Sequence, residues 1–444
     1  MSSCDAPQLP ELTQRSPAHR SHGWLVQAAC VLGCTAAMGA LSPSALAAPG
    51  DHIRAGDATF VPGLDFGGEY RTNLYRAEAD TTGGANLRIA PRATFSVGGE
   101  DHEFSFGGVW ELRKFLFVEE VVGSTLTSAE RVASLDRFND FGLNASTTLF
   151  KREVVGLELS DSLNLRNNST DAEFSEAPFT TQLRNNLTGG LRISPGPALS
   201  ITPGGKWSYD QYRVPSRPGF EDRVLNSRNA YGPTLGAKWS FLPRTAVYAN
   251  ADYTLNSWTA GPVQEASDGL FQAPGSQFIR AMTGIDGRFT NKLFLNIGAG
   301  YGVGLYESGN NLSGLDGLLA KVQGRYQIVE GTEDQAGTSF TLGYEKTFRD
   351  SFFTNSVAIN RGYTGLGVGI GNFVPSVQYE VRAEGYDGAI ARNDIVNKLS
   401  LNAGYRIQNW ASITPGVSWQ QRASNQDNVE YDDVNIRLLA NFTY

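Results

Sequence analysis

The sequence predicts an all-β fold, a transmembrane antiparallel up-and-down β-barrel of about eighteen strands. Three observations point there. In the last eleven residues Val434, Ile436, Leu438, Ala440, Phe442 and Tyr444 share one side of a strand, and Asn435, Arg437, Leu439, Asn441 and Thr443 share the other. Only Leu439 departs from the apolar/polar alternation, and the final residue is aromatic. Similar runs recur along nearly the whole chain, while no stretch after residue 50 approaches the roughly 20 apolar residues of a spanning helix. Finally, 444 residues with 50 glycines and a mean hydropathy of -0.27 suit a wall in which only alternate residues meet lipid.

The N-terminus gives an address. Trp24 to Leu41 is an apolar segment behind Arg15 and Arg20, and Ala45-Leu46-Ala47 offers a small-residue cleavage site. Residues 1–47 read as a secretion signal, with maturation near Ala48. A competing reading makes Val31-Leu32-Gly33-Cys34 a lipobox with Cys34 acylated. Cys4, Cys30 and Cys34 all fall in this leader, so no disulfide or metal-thiolate site is expected after it. The leader holds as many acids as bases, and the net charge of -8 is unchanged by its removal. No basic cluster offsets that charge, which argues against nucleic acid as a partner.

Residues 48–62 read as a periplasmic lead-in and 63–444 as the barrel. Leu64 to Tyr75 and Ala85 to Val97 open the strand series, and Gly98 to Asp101 turns the chain into Phe104 to Phe115. Further tight turns are expected at Phe150 to Glu153, Ser194 to Pro197, Leu242 to Arg244, Thr290 to Lys292 and Gln408-Asn409. Longer connections lie between them, at Gly123 to Asp136, Pro215 to Val224, Gly261 to Ser276 and Ser308 to Asp316. Short and long connections alternate, as periplasmic turns and extracellular loops do, and an even strand number puts both ends of the sheet on the periplasmic side. Parity then places Phe348 to Ser351 outside, although it resembles a tight turn, and Glu330 to Gly337 inside. Sixteen strands would remain if one run there were a loop.

A wide barrel acts through its lumen. The face opposite the apolar one carries the selectivity candidates Arg71, Arg88, Arg92, Arg113, Arg184, Arg280, Arg288, Arg325, Arg382, Arg406 and Arg437, with Arg166, Arg192, Lys206, Lys238, Lys321 and Lys398. Acids there are fewer: Asp65, Glu69, Glu111, Asp140, Glu158, Asp210, Asp252, Asp286, Glu345, Glu380, Glu384 and Asp433. A mildly basic lumen would concentrate anions. Alternatively these arginines brace acids on neighbouring strands.

Trp110, Trp207, Trp239, Trp419, Tyr70, Tyr253, Tyr301, Tyr326, Tyr344, Tyr379 and Tyr405 fall on the apolar face, as interfacial girdles would. Tyr248 and Phe294 face the lumen. Tyr209, Tyr212 and Trp258 could line an outer mouth, but the girdle is the favoured assignment. Gly298, Gly300, Gly302 and Gly304 are lumen positions of one strand, leaving room for a bulky neighbour rather than cradling phosphate. After the leader the only histidines are His52 and His102, neither placed for acid–base chemistry. Glu380 and Glu384 on one strand face would stand about 13 Å apart, too far for paired hydrolytic roles. No enzymatic activity, cofactor or metal is expected.

The run Thr338 to Asn355, TSFTLGYEKTFRDSFFTN, resembles the Gly-Tyr strand and Asp-Ser turn of the β-barrel porins associated with bacterial exopolysaccharide loci. Leu242 to Tyr253 and Ile407 to Trp419 are similar to that family's turn-and-strand units. The resemblance implies an outer-membrane pore for a secreted polysaccharide, working beside a periplasmic polysaccharide-export protein and inserted by the barrel assembly machinery. Alternatives are a general or anion-preferring diffusion porin, which an inward-folded constriction would favour, and a plugged structural or adhesive barrel. Gly123 to Asp136 and Gly261 to Ser276 are the loops expected to form any constriction.

Overall fold

The computed structural model describes residues 52–74, 76, 78, 81–119, 132, 139–167, 181–214, 223–260, 275–306, 315–331, 336–351, 354, 356–387, 391–426 and 429–444. The expected leader with Cys34, and nearly all of the two loops expected to constrict the pore, lie outside them. Nineteen strands follow in order. They are β1 Ile53–Ala55, β2 Ala58–Arg71, β3 Gly84–Gly98, β4 His102–Val118, β5 Asn139–Leu149, β6 Val155–Asn167, β7 Thr181–Gly196, β8 Leu199–Val214, β9 Arg223–Leu242 and β10 Thr245–Ala260. The series continues with β11 Ser276–Arg288, β12 Leu293–Tyr306, β13 Leu315–Val329, β14 Thr338–Asp350, β15 Ser356–Gly367, β16 Phe373–Asp387, β17 Arg392–Gln408, β18 Ala411–Ser424 and β19 Tyr431–Thr443.

Each strand from β2 onward pairs antiparallel with the next, and β19 pairs back onto β2, closing an 18-strand barrel. Closure leaves no strand edge, so the wall can satisfy its backbone groups without water. The sixteen-strand alternative is excluded. Residues 330–337 join β13 to β14 at the short-turn end, and 351–355 join β14 to β15 at the other end, as parity required.

Two boundaries differ from the sequence reading. The first barrel strand starts at Ala58 rather than Leu64 and ends at Arg71 rather than Tyr75. Thr59, Phe60 and Val61 find partners in Ser96, Phe95 and Thr94 of β3, and the residues just before them double back as β1. Part of the expected lead-in is therefore sheet, because a partner strand long enough to pair with it exists. At the upper end Thr72 leaves the ladder, donating its N–H to Val434 O at 3.0 Å.

The period of two sorts the side chains. Leu87, Ile89, Leu159, Leu187, Leu235, Ile279, Ile297, Leu318, Leu342, Leu401 and Leu438 are exposed on the outside, as a lipid-facing surface demands. Trp110, Trp239, Tyr301, Tyr326, Tyr344, Tyr379 and Tyr405 are exposed on the same surface, which fits the girdle assignment. Leu439, the exception in the last strand, faces the lumen over Gly67, where a Cβ would come within 2.6 Å of its Cδ2. The barrel is an outer-membrane barrel, apolar outside and polar within.

Candidate functional site

The lumen is narrowed by the upper ends of β14 and β15, which bend inward. Val357 of β15 is fully buried and forms one cluster with Tyr386 on the adjacent β16 and Tyr212 on β8, with Trp258 of β10 packed against it. Since β8 and β15 are seven strands apart around the ring, this contact spans the lumen. The hairpin's other face lies on the wall, where Phe348 packs with Phe278 of β11 and Leu319 of β13. Gly302 admits the Phe348 ring, which a Cβ would strike, and Gly298 likewise admits the Tyr248 hydroxyl. The alternating glycines therefore serve the bulky-neighbour role expected of them. Ser276 Oγ donates to Asp350 Oδ1 at 2.6 Å, tying the hairpin tip to β11.

This hairpin corrects the sequence reading in two places. Tyr212 and Trp258, assigned to the girdle, point inward against the hairpin; Tyr209 does lie on the outer face, its ring stacked 6.5 Å from Trp207. The described constriction comes from the strand ends on either side of a connection whose sequence resembles a tight turn.

Between hairpin and wall lies a cavity of about 220 Å³, lined by Asn186, Thr188, Lys206, Ser208, Arg228, Thr254, Asn256, Arg280, Arg349 and Asp350. A larger space of about 760 Å³ lies toward the short-turn end, lined in part by Thr202, Lys206, Lys238, Tyr248, Asn250, Asp252, Asp286, Asn296 and Lys321. Cations from five strands converge on these two spaces.

The arginines chosen from the sequence all face inward, but they divide by height. Toward the outer end they are neutralised. Arg71 pairs with Asp433, Arg88 with Glu111 at 2.7 Å, and Arg113 with Glu111 at 2.5 Å and Asp140 at 3.5 Å. Arg184 and Arg228 both hold the fully buried Asp210. Arg382 binds Glu384 at 2.7 Å, and Arg280 shares Asp252 with Lys206 at 3.0 and 2.6 Å. Such pairs in a closed wall fix strand register, each partner cancelling the charge the other would bury.

Nearer the short-turn end, Arg288, Arg325 and Arg406 have no ion-pair partner among the described residues. Arg288 and Arg325 occupy one cross-strand row on either side of Phe294. Arg437 donates only to the neutral Asn402 Oδ1, at 2.8 Å. Lys321 and Lys398 are likewise without a carboxylate within pairing distance among the described residues. Other cations at this level are paired: Arg92 is bound to Asp65 at 3.2 Å and Thr443 at 2.8 Å, Lys238 to Asp286 at 3.4 Å and Arg192 to Glu158 at 3.5 Å.

Some lumen residues escaped the sequence reading. Arg228 and Arg349 line the smaller cavity, Arg361 pairs with Glu380 at 2.6 Å, and Arg392 and Arg422 bracket Asp394 at 3.1 and 3.7 Å. Arg392, Asp394 and Arg422 sit where the strands run beyond the expected apolar stretch, and simple continuation of the alternation would have found them. The histidines stand away from these groups: His52 Nδ1 is 3.1 Å from Tyr444 O, and the His102 ring meets Phe150 edge-on.

A closed wall, an apolar exterior and a charged, constricted lumen define a barrel of the outer-membrane class. No protein-family model matches this chain, and no curated protein matches it. Solved structures with a similar fold include the FrpB iron transporter of Neisseria meningitidis, at 9% identity over 90% of this chain and 82% of that one, TM-score 0.46. OccAB3 of Acinetobacter baumannii is similar at 10% identity over 88% of this chain and 100% of that one, TM-score 0.43. OpdK of Pseudomonas aeruginosa, solved with vanillate, is similar at 11% identity over 87% and 99%, TM-score 0.45.

Proposed function

We propose that this barrel is an outer-membrane pore selective for anions, passing small acidic solutes in the conformation described. The observation that carries the reading is the group Arg288, Arg325, Arg406 and Arg437, without an ion-pair partner among the described residues, on a lumen wall otherwise balanced by carboxylates. Unpaired charge inside a low-dielectric wall raises the local concentration of the opposite ion. The inward hairpin favours small solutes over a polymer.

Secretion of an acidic exopolysaccharide is the second reading. It draws on the resemblance of Thr338 to Asn355, a run that contains β14 and so one limb of the hairpin. Polymer passage requires the hairpin to leave the lumen, which gives a periplasmic polysaccharide-export protein a task.

The test is the reversal potential of the refolded mature chain in a planar bilayer under a potassium chloride gradient. Anion selectivity that falls in the combined Arg288→Gln, Arg325→Gln and Arg406→Gln variant supports the proposal; cation selectivity overturns it. Adding an anionic polysaccharide or a small carboxylate to the same channels separates the two substrate readings by which of them blocks current.

A further inference from the structure

Asp161 is the central residue of β6, and it points out of the barrel. Its neighbours Ser160 and Ser162 take the lumen face, where Asn186 Nδ2 donates to Ser162 Oγ at 3.5 Å. Asp161 is aligned across the sheet with Ala145 and Leu187, and Leu159 and Leu187 are exposed on that same outer surface. On β7 Asn185, aligned with Leu163, occupies the diagonal position beside Asp161 on the same face. One side-chain oxygen of each is shielded from solvent without a hydrogen-bond partner. Outward carboxylates near the long-loop ends are provided for, Asp316 by the Tyr301 hydroxyl and Asp432 by Trp419 Nε1. Asp161 stands at mid-strand, where lipid offers a carboxylate nothing.

A second observation concerns the same sector. The segments β5, β6 and β7 contain no tyrosine or tryptophan. Elsewhere around the barrel no two adjacent strands lack one on the outer face, so the tyrosine and tryptophan girdle is interrupted here, with Phe141 of β5 and the exposed Phe150 as the aromatics that remain. A polar pair at mid-depth and a girdle without tyrosine or tryptophan both say that protein covers this sector.

The pair also says what kind of protein. Asn185 brings amide N–H donors and Asp161 brings acceptors, on one small patch collared by leucines. A surface that carries both halves of its own hydrogen-bonding pattern mates with itself about a two-fold axis. Leucine against leucine gains little over leucine against lipid, which leaves the reciprocal hydrogen bonds to favour association.

We propose that the outer face of β5–β7 is the interface at which two copies of this chain pair about an axis along the membrane normal, Asn185 of each donating to Asp161 of the other. The sequence supplies a clean test, because its three cysteines all precede residue 35 and an introduced cysteine is the only thiol left once the expected leader is removed. In outer membranes treated with a short bis-maleimide, Leu163→Cys is expected to give a covalent dimer of this chain, and Leu342→Cys on β14 is not. Asp161→Leu in the Leu163→Cys background is expected to lower dimer yield about tenfold, with Asp161→Asn retaining most of it. Heat-modifiable migration confirms that each variant still forms the barrel, and the Leu163/Leu342 contrast stands even if Asp161→Leu does not fold. Equal products from the two cysteines, monomer alone, an adduct with a different protein, or a dimer indifferent to Asp161→Leu overturns the proposal.

Discussion

The outer and periplasmic halves of the lumen are built from the same residue types and use them oppositely. Above, arginine and carboxylate alternate across neighbouring strands until little charge is left, and the β14–β15 hairpin fills part of the space. Below, Arg92, Arg192 and Lys238 keep carboxylate partners, but Arg288 and Arg325 flank an aromatic and Arg437 meets a neutral amide. Charge spent on a neighbour braces the wall, whereas charge left over acts on what passes. Counting basic residues in a barrel therefore says less than finding those without a partner.

The comparison can be broken from the outer side first. Asp210→Leu removes the fully buried carboxylate that Arg184 and Arg228 share and is expected to cost about 3 kcal/mol, read as a lowered urea midpoint of the refolded barrel. Phe348→Ala removes the ring seated among Phe278, Leu319 and Gly302; it should cost about 3 kcal/mol and release the hairpin, raising single-channel conductance. Gly302→Val fills that seat from the other side and should raise conductance in the same way, at about 1–3 kcal/mol of overpacking. On the periplasmic side, Arg325→Gln should leave stability within about 0.5 kcal/mol of the parent. Its anion-to-cation permeability ratio should nevertheless fall, and the fall should shrink as salt shortens the screening length. A large loss of stability from Arg325→Gln would erase the distinction between the two halves.

Much of the fold was legible because a barrel wall repeats one instruction. Apolar and polar residues alternate in every strand, and the parity of up and down strands resolved the middle of the chain, where Phe348 to Ser351 taken alone looks like a periplasmic turn. The inward hairpin was not legible for the same reason. Phe348 and Val357 alternate like any wall residue, and nothing local says that the segment bends so that both its faces are covered. Tyr212 and Trp258 followed the hairpin into misassignment, since an aromatic near a strand end suits a girdle until something occupies the lumen beside it. Among the lumen residues, the alternation gave orientation for all eleven arginines. It could not tell the paired from the unpaired, because pairing depends on which strands become neighbours and at what offset.

The seam between β19 and β2 joins groups very far apart in sequence, as in the Arg71 and Asp433 pair, 362 residues from one to the other. Every other junction in the ring links strands consecutive in the chain. Hairpins can therefore accumulate early, but the ring stays an open ribbon with two sticky margins until its first and last strands meet. Closure of this ring waits on the one joint between the two ends of the sheet, and a chain without β19 would leave both margins open to any strand that reaches them.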